Sequence, residues 1–159
     1  MIIAKRSVLV EGRSDELIVQ KAYLQLHGKL PLDDGIDIIT VGGLVFKRFM
    51  EIAAKLNKQI SVVSDNDGDY DKAVERYSDF TKCANIKLCI DNDNAYPTLE
   101  PQMVKANGLP AINALLGKTY ATEAELIEYM EKNKADCALI LFEKGAGLTM
   151  PDYILDAIR

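Results

Sequence analysis

From Ser64 to Asp71 the chain reads Ser-Asp-Asn-Asp-Gly-Asp-Tyr-Asp, so carboxylates recur at every second position: Asp65, Asp67, Asp69 and Asp71. Carboxylates this dense repel one another unless a cation neutralises them, and oxygen-only donors select hard ions: Mg²⁺ or Mn²⁺, with Ca²⁺ as a further candidate. A second acidic group, Glu11, Asp15 and Glu16, lies nearer the N-terminus. Ordinary structure accounts for part of this. Asp and Gly are common turn residues, and Asp15 and Glu16 suit the positive end of a helix. Glu11 is left over, because it precedes the Gly12 turn and ends an apolar run. Across that turn Glu11 and Asp15 can face one ion. The spacing is not that of an EF-hand, whose sixth and twelfth positions are Gly and Glu; counted from Asp65, they are Tyr70 and Arg76.

The elements that must position these acids follow from period and punctuation. Ser7-Val8-Leu9-Val10 predicts a strand over about residues 6–11, and helical spacing of Leu17, Ile18, Ala22 and Leu24 predicts a helix from Ser14, a good N-cap, to His27. A turn at 31–35 leads into a second strand, Ile36 to Val41, ending in Gly42-Gly43 before a helix over about 44–56. Ile60-Ser61-Val62-Val63 predicts a buried third strand that ends at the acidic turn, followed by a helix over about 71–83. Ile86 to Ile90 is the fourth strand. Strands alternating with helices over short connections predict an α/β fold with a mostly parallel sheet and helices on both faces. Such sheets keep their sites at the carboxyl ends of strands, where both acidic groups fall. Beyond Asp93 the pattern becomes mainly helical, near 109–116, 122–133 and 149–158.

Composition narrows the function. With 159 residues and 48% hydrophobic content, the chain is expected to form one domain over 1–159. Its formal charge of -5 gives no global positive field, so a polyanion would be held through metal ions and a local basic patch. Cys83, Cys89 and Cys137 form an odd set without zinc or disulfide spacing, as expected for reduced core residues of a cytoplasmic protein. No run is long enough for a membrane span, and no membrane partner is expected. Gly117-Lys118-Thr119 lacks the earlier glycine of a phosphate-binding loop, Ile112 occupying that position. His27, the only histidine, is remote from the acids and leaves no hydroxyl or thiol triad. Hydrolysis by a metal-activated water fits these residues better than a triad does.

Strand-Glu-Gly-x-Ser-Asp-Glu, then strand-Gly-Gly, then strand-Asp-x-Asp, in this order over the first seventy residues, resembles a Toprim domain, the metal-binding catalytic fold of topoisomerases, bacterial primases and several nucleases. Within it, the string from Val8 to Glu16, together with Thr98-Leu99-Glu100, resembles the nuclease half of the overcoming-lysogenization-defect (OLD) family. The resemblance implies a Rossmann-like four-stranded sheet, a core over about 1–104 and a helical extension over about 105–159. It implies a DNA endonuclease or nickase using two metal ions, with Glu11, Asp15, Asp65, Asp67 and Glu100 as ligands and Asp69 as an additional one. Glu11 would also act as general base, and Lys144 would match a C-terminal lysine that stabilises charge on the scissile phosphate. Without the resemblance, Lys144 reads as a surface cation at a helix C-terminus. Arg13, Lys47 and Arg48 are candidate phosphate contacts. In this family an ABC-type ATPase lies upstream of the nuclease half, so the chain is expected to be an isolated C-terminal domain or a stand-alone homologue.

Two other readings compete. Val62-Val63-Ser64-Asp65-Asn66-Asp67-Gly68 resembles the first motif of haloacid-dehalogenase phosphatases, with Asp65 as a nucleophile. That motif normally opens its domain, and it leaves Glu11 and Asp15 unused. A non-catalytic Toprim module binding metal or a partner is the other.

Overall fold

The computed structural model describes residues 4–42 and 45–159. Its strands are β1 (Arg6–Val10), β2 (Ile36–Thr40), β3 (Gln59–Val63) and β4 (Ile86–Cys89). They form one parallel sheet in the order β2-β1-β3-β4. Helix α1 (Arg13–His27) crosses from β1 outward to β2, and α2 (Phe46–Leu56) returns past β1 to β3. The direction of travel therefore reverses between β1 and β3. The carboxyl ends of these two paired strands define the switch point at which open α/β sheets form their clefts.

Alternation of side chains across the strands divides the core. Val8, Val10, Val63 and Cys89 face the side covered by α1 and the C-terminal helices. Leu9, Ile60, Val62 and Ile86 face the other side, against Phe46, Met50 and Ala53 of α2 and against Tyr77 and Phe80. Both faces are covered, which is why the strands read as near-continuous apolar runs.

The expected helix over 71–83 is shorter: α3 (Tyr70–Glu75) followed by a 3-10 turn at Ser78–Phe80. After β4 come α4 (Leu99–Asn107), α5 (Leu109–Leu116), α6 (Glu123–Lys132), α7 (Lys134–Lys144) and α8 (Asp152–Ile158). Two of these helices are absent from the sequence reading. α4 tolerates Pro101 because the proline falls in the first turn, whose N–H groups lack intrahelical partners in any case. In α7, Cys137, Ala138 and Leu141 are buried amid further apolar residues, which blurs the helical period. α7 packs along α1, and α8 lies on β3 and β4. The carbonyl end of α8 is tied down by cations: Arg6 donates to Ala157 and Arg159, and Lys87 to Asp156. The expected start of the second helix at about Leu44, and the second glycine of Gly42-Gly43, lie outside the described residues. All three cysteines are free, with Cys89 and Cys137 in the core, and among the described residues no helix is long and apolar enough to cross a membrane.

At the end of α7, Gly145 donates its N–H to the Leu141 carbonyl at 3.0 Å. A methyl group there would collide with that carbonyl oxygen and with the Leu148 side chain. Gly145→Ala is therefore expected to cost about 1–3 kcal/mol through overpacking, read as a lower urea midpoint at unchanged slope.

Candidate metal and catalytic site

Glu11 leaves the end of β1 and reaches across to the end of β3. Its Oε1 accepts the Ser64 hydroxyl at 2.7 Å and the backbone N–H of Asp65 at 3.3 Å. Ser64 is only 1% exposed, so the carboxylate is held by a group shielded from water. On the next turn the Gly12 N–H donates to Asp15 Oδ2 at 2.9 Å, a capping contact that fixes Asp15 at the start of α1. The fourth acid comes from α4: Glu100 is buried, at 4% exposure, and accepts from Thr98 Oγ1 at 3.3 Å and from Lys134 Nζ at 3.2 Å. Glu11, Arg13, Asp15, Asp65, Glu100 and Lys134 line one cleft of about 330 Å³.

Crowding of like charges is visible in the acids themselves. Burial, then the charges of Asp15, Glu11 and Glu100, push the Asp65 carboxyl up to about 8 from its ordinary 3.8. Asp15 is pushed up to about 6, chiefly by burial and against the Gly12 hydrogen bond, with Glu11 and Glu100 adding to the rise. Burial opposes the Lys134 charge, yet Glu100, Asp65 and Asp15 together hold its pKa above the ordinary lysine value.

The structure brings together Glu11, Asp15, Asp65 and Glu100 of the residues singled out from sequence, with Arg13 at the rim. It does not bring Asp67 and Asp69 to them. Asn66 clamps the turn onto the end of β4 by donating to the Asp91 and Asp93 carbonyls. Asp67 then takes a left-handed φ of 53° and pairs with Arg76 at 3.2 Å, 59% exposed. Asp69 caps α3, accepting the Lys72 N–H at 3.1 Å. Lys47 and Arg48 are exposed in the first turn of α2, outside the cleft lining. Lys144 is exposed at the far end of α7. Ten residues of helix, about 15 Å, separate it from Lys134, the lysine that does line the cleft. Sequence reasoning missed Lys134 and Ser64. Ser64 had a signal in its position at the strand end beside Asp65; Lys134 had none without α7.

Among the described residues no group of three or more His, Cys, Asp or Glu side chains is placed to hold a metal ion. The donor chemistry nevertheless fits a hard divalent ion. Mg²⁺ keeps several waters and needs only one or two carboxylates plus substrate phosphates. Here four carboxylates face one ammonium, and the strain shows as the raised Asp65 and Asp15 values.

Residues 2–67 match the family described as "Overcoming lysogenization defect protein-like, TOPRIM domain". The chain is similar in structure to the C-terminal region of the Burkholderia pseudomallei OLD protein, with TM-score 0.77 and 18% identity over 98% of this chain and 95% of that one. It is also similar to the C-terminal region of the Xanthomonas campestris pv. campestris OLD protein. There the TM-score is 0.67 and the identity 19%, over 99% and 91% of the two chains. No curated protein matches.

The raised carboxyls set a pH dependence. Asp65 and Asp15 bind protons more tightly in the folded than in the unfolded chain, so metal-free stability falls as pH rises through the folded values of about 6 and about 8. Asp34 and Asp93, held low by Lys29 and Lys105, titrate below that window. Urea midpoints in the presence of a chelator are expected to drop between about pH 4, the ordinary carboxyl value, and about pH 8. Asp65→Asn should flatten the upper part of that fall.

Proposed function

We propose that this chain, an OLD-like Toprim domain, is a divalent-metal-dependent DNA endonuclease or nickase that hydrolyses phosphodiester bonds with two metal ions. The observation that carries the reading is the convergence of Glu11, Asp15, Asp65 and Glu100, from β1, α1, β3 and α4, on a cleft that also holds Lys134. Bound Mg²⁺ or Mn²⁺, with Ca²⁺ as a further candidate, would supply Lewis-acid stabilisation and a water of lowered pKa.

The chain's own residues do the rest. Asp65, Asp15 and Glu100 hold the ions. Glu11 keeps Oε1 on Ser64 and the Asp65 N–H, leaving Oε2 to bind an ion or take a proton from the attacking water. Asp67 joins the ligands by giving up Arg76, an exposed pair worth only about 0–1 kcal/mol, and Asp69 remains a helix cap. Lys134, rather than Lys144, donates from Nζ to a non-bridging phosphate oxygen. Arg13, Lys47 and Arg48 flank the carboxyl end of the sheet as backbone-phosphate contacts, with an ABC-type ATPase as functional partner. A phosphatase with Asp65 as nucleophile leaves Glu11, Asp15 and Glu100 without work, although Glu11 is hydrogen-bonded to the Asp65 N–H itself.

Supercoiled and linear DNA incubated with the protein and Mg²⁺ or Mn²⁺ should be nicked or cut, while a phosphomonoester should not be turned over. Glu11→Ala and Asp65→Ala should each lower the rate by about a hundredfold or more, as expected for losing several kcal/mol of metal-centred stabilisation. Lys134→Ala should lower kcat about ten- to a hundredfold, and Lys144→Ala should stay within about twofold, as for a surface residue. Phosphomonoester turnover that needs Asp65 but not Glu11 would refute the nuclease reading.

A further inference from the structure

We propose that Lys134 is a built-in counter-ion for the metal-free cleft: it occupies Glu100 until a divalent cation displaces it, and the freed ammonium then turns to the substrate phosphate. The inference rests on the metal-binding reading of the same cleft and goes beyond it, because it makes Lys134 a competitor of the metal before it is a partner of the substrate.

Three observations carry it. First, the pair is asymmetric: the Glu100 side chain is 5% exposed and the Lys134 side chain 50% exposed. A carboxylate so buried is costly without a compensating charge, whereas the lysine loses less by leaving, since half of its side chain is already exposed. Second, Lys134 is the first residue of α7. A cation there opposes the helix dipole, which favours acids at the N-terminus and bases at the C-terminus. The position weakens the helix slightly, so the charge is there for the cleft. Third, Lys134 is the only cation paired with any of Glu11, Asp15, Asp65 and Glu100 among the described ion pairs. One ammonium cannot neutralise four acids; a divalent ion on the same carboxylates does better. The lysine's four-carbon stem and rotatable donors let it change partners without backbone movement.

The test compares Lys134→Met, Lys134→Gln and Lys134→Arg with the unaltered protein by calorimetric Mn²⁺ titration in the absence of DNA, at low and high salt. Removing the positive charge should tighten Mn²⁺ binding about three- to tenfold at low ionic strength, with the gain shrinking as salt screens the half-exposed lysine. Lys134→Arg should stay within about twofold. Metal-free Lys134→Met and Lys134→Gln should also melt lower than the unaltered protein, and saturating Mn²⁺ should close that gap. Unchanged or weaker Mn²⁺ binding in both charge-removing variants would overturn the counter-ion role while leaving the metal site intact. Absence of saturable Mn²⁺ binding in every protein would overturn both readings at once.

Discussion

The cleft depends on a sheet rigid enough to deliver carboxylates to adjacent strand ends against their mutual repulsion. β1 and β3 are hydrogen-bonded neighbours, and each ends in an acid, Glu11 and Asp65, with Asp15 one turn into α1. In water such charges would separate. Here two buried strands fix their backbones, and the Ser64 hydroxyl with the Asp65 N–H fixes the Glu11 carboxylate. The crowding shows in the Asp65 carboxyl, which burial and then the neighbouring acids push up to about 8, favouring its protonated form while no cation is bound. What maintains the crowding is apolar: Val8, Val10 and Val63 are sealed under α1 and the C-terminal helices, and Leu9 and Val62 under α2.

The C-terminal helices do more than cover the sheet. α4 carries Glu100 into the cleft and α7 carries Lys134 to it, so one element adds to the repulsion and the other relieves part of it. Lys21 of α1 donates to the Phe142 carbonyl near the end of α7 at 2.7 Å, fixing that helix along α1. The cation in the cleft is thus positioned by the same packing that holds Asp15.

Much of the sheet was legible because strands buried on both faces announce themselves as apolar runs, whose carboxyl ends mark the place of the cleft. Glu11, Asp15 and Asp65 followed from that, and Glu100 from a short motif. The acidic turn departs from the grouping expected of it for a definite reason. Side chains two residues apart share a face only while the chain stays extended, and β3 stops at Val63. Asn66 then pins the turn to β4, and Asp67 and Gly68 both take left-handed φ, 53° and 82°, so the alternation that grouped Asp65 with Asp67 and Asp69 no longer applies. Lys134 was hidden because α7 lacks a clean apolar stripe. Its reach to Glu100 is a long-range contact that no local pattern encodes.

These charges also impose an order of events on the proposed reaction. The chain carries a net -5, and in its cleft the acids outnumber Lys134 even with Asp65 holding a proton, so a phosphate backbone approaching the metal-free form meets like charge at the place where it would be cut. Arg13 at the rim and the exposed Lys47 and Arg48 lie close enough to the sheet's carboxyl end to attract a polyanion, but they cannot cancel the field inside the cleft. Divalent ions bound there invert that field locally, and the cleft then attracts phosphate while the rest of the surface still repels it. On this reading the acidity of the site is itself a selective device. It restricts productive binding to the metal-loaded protein, because only there does the cleft stop repelling the phosphate that Arg13, Lys47 and Arg48 draw to its edge.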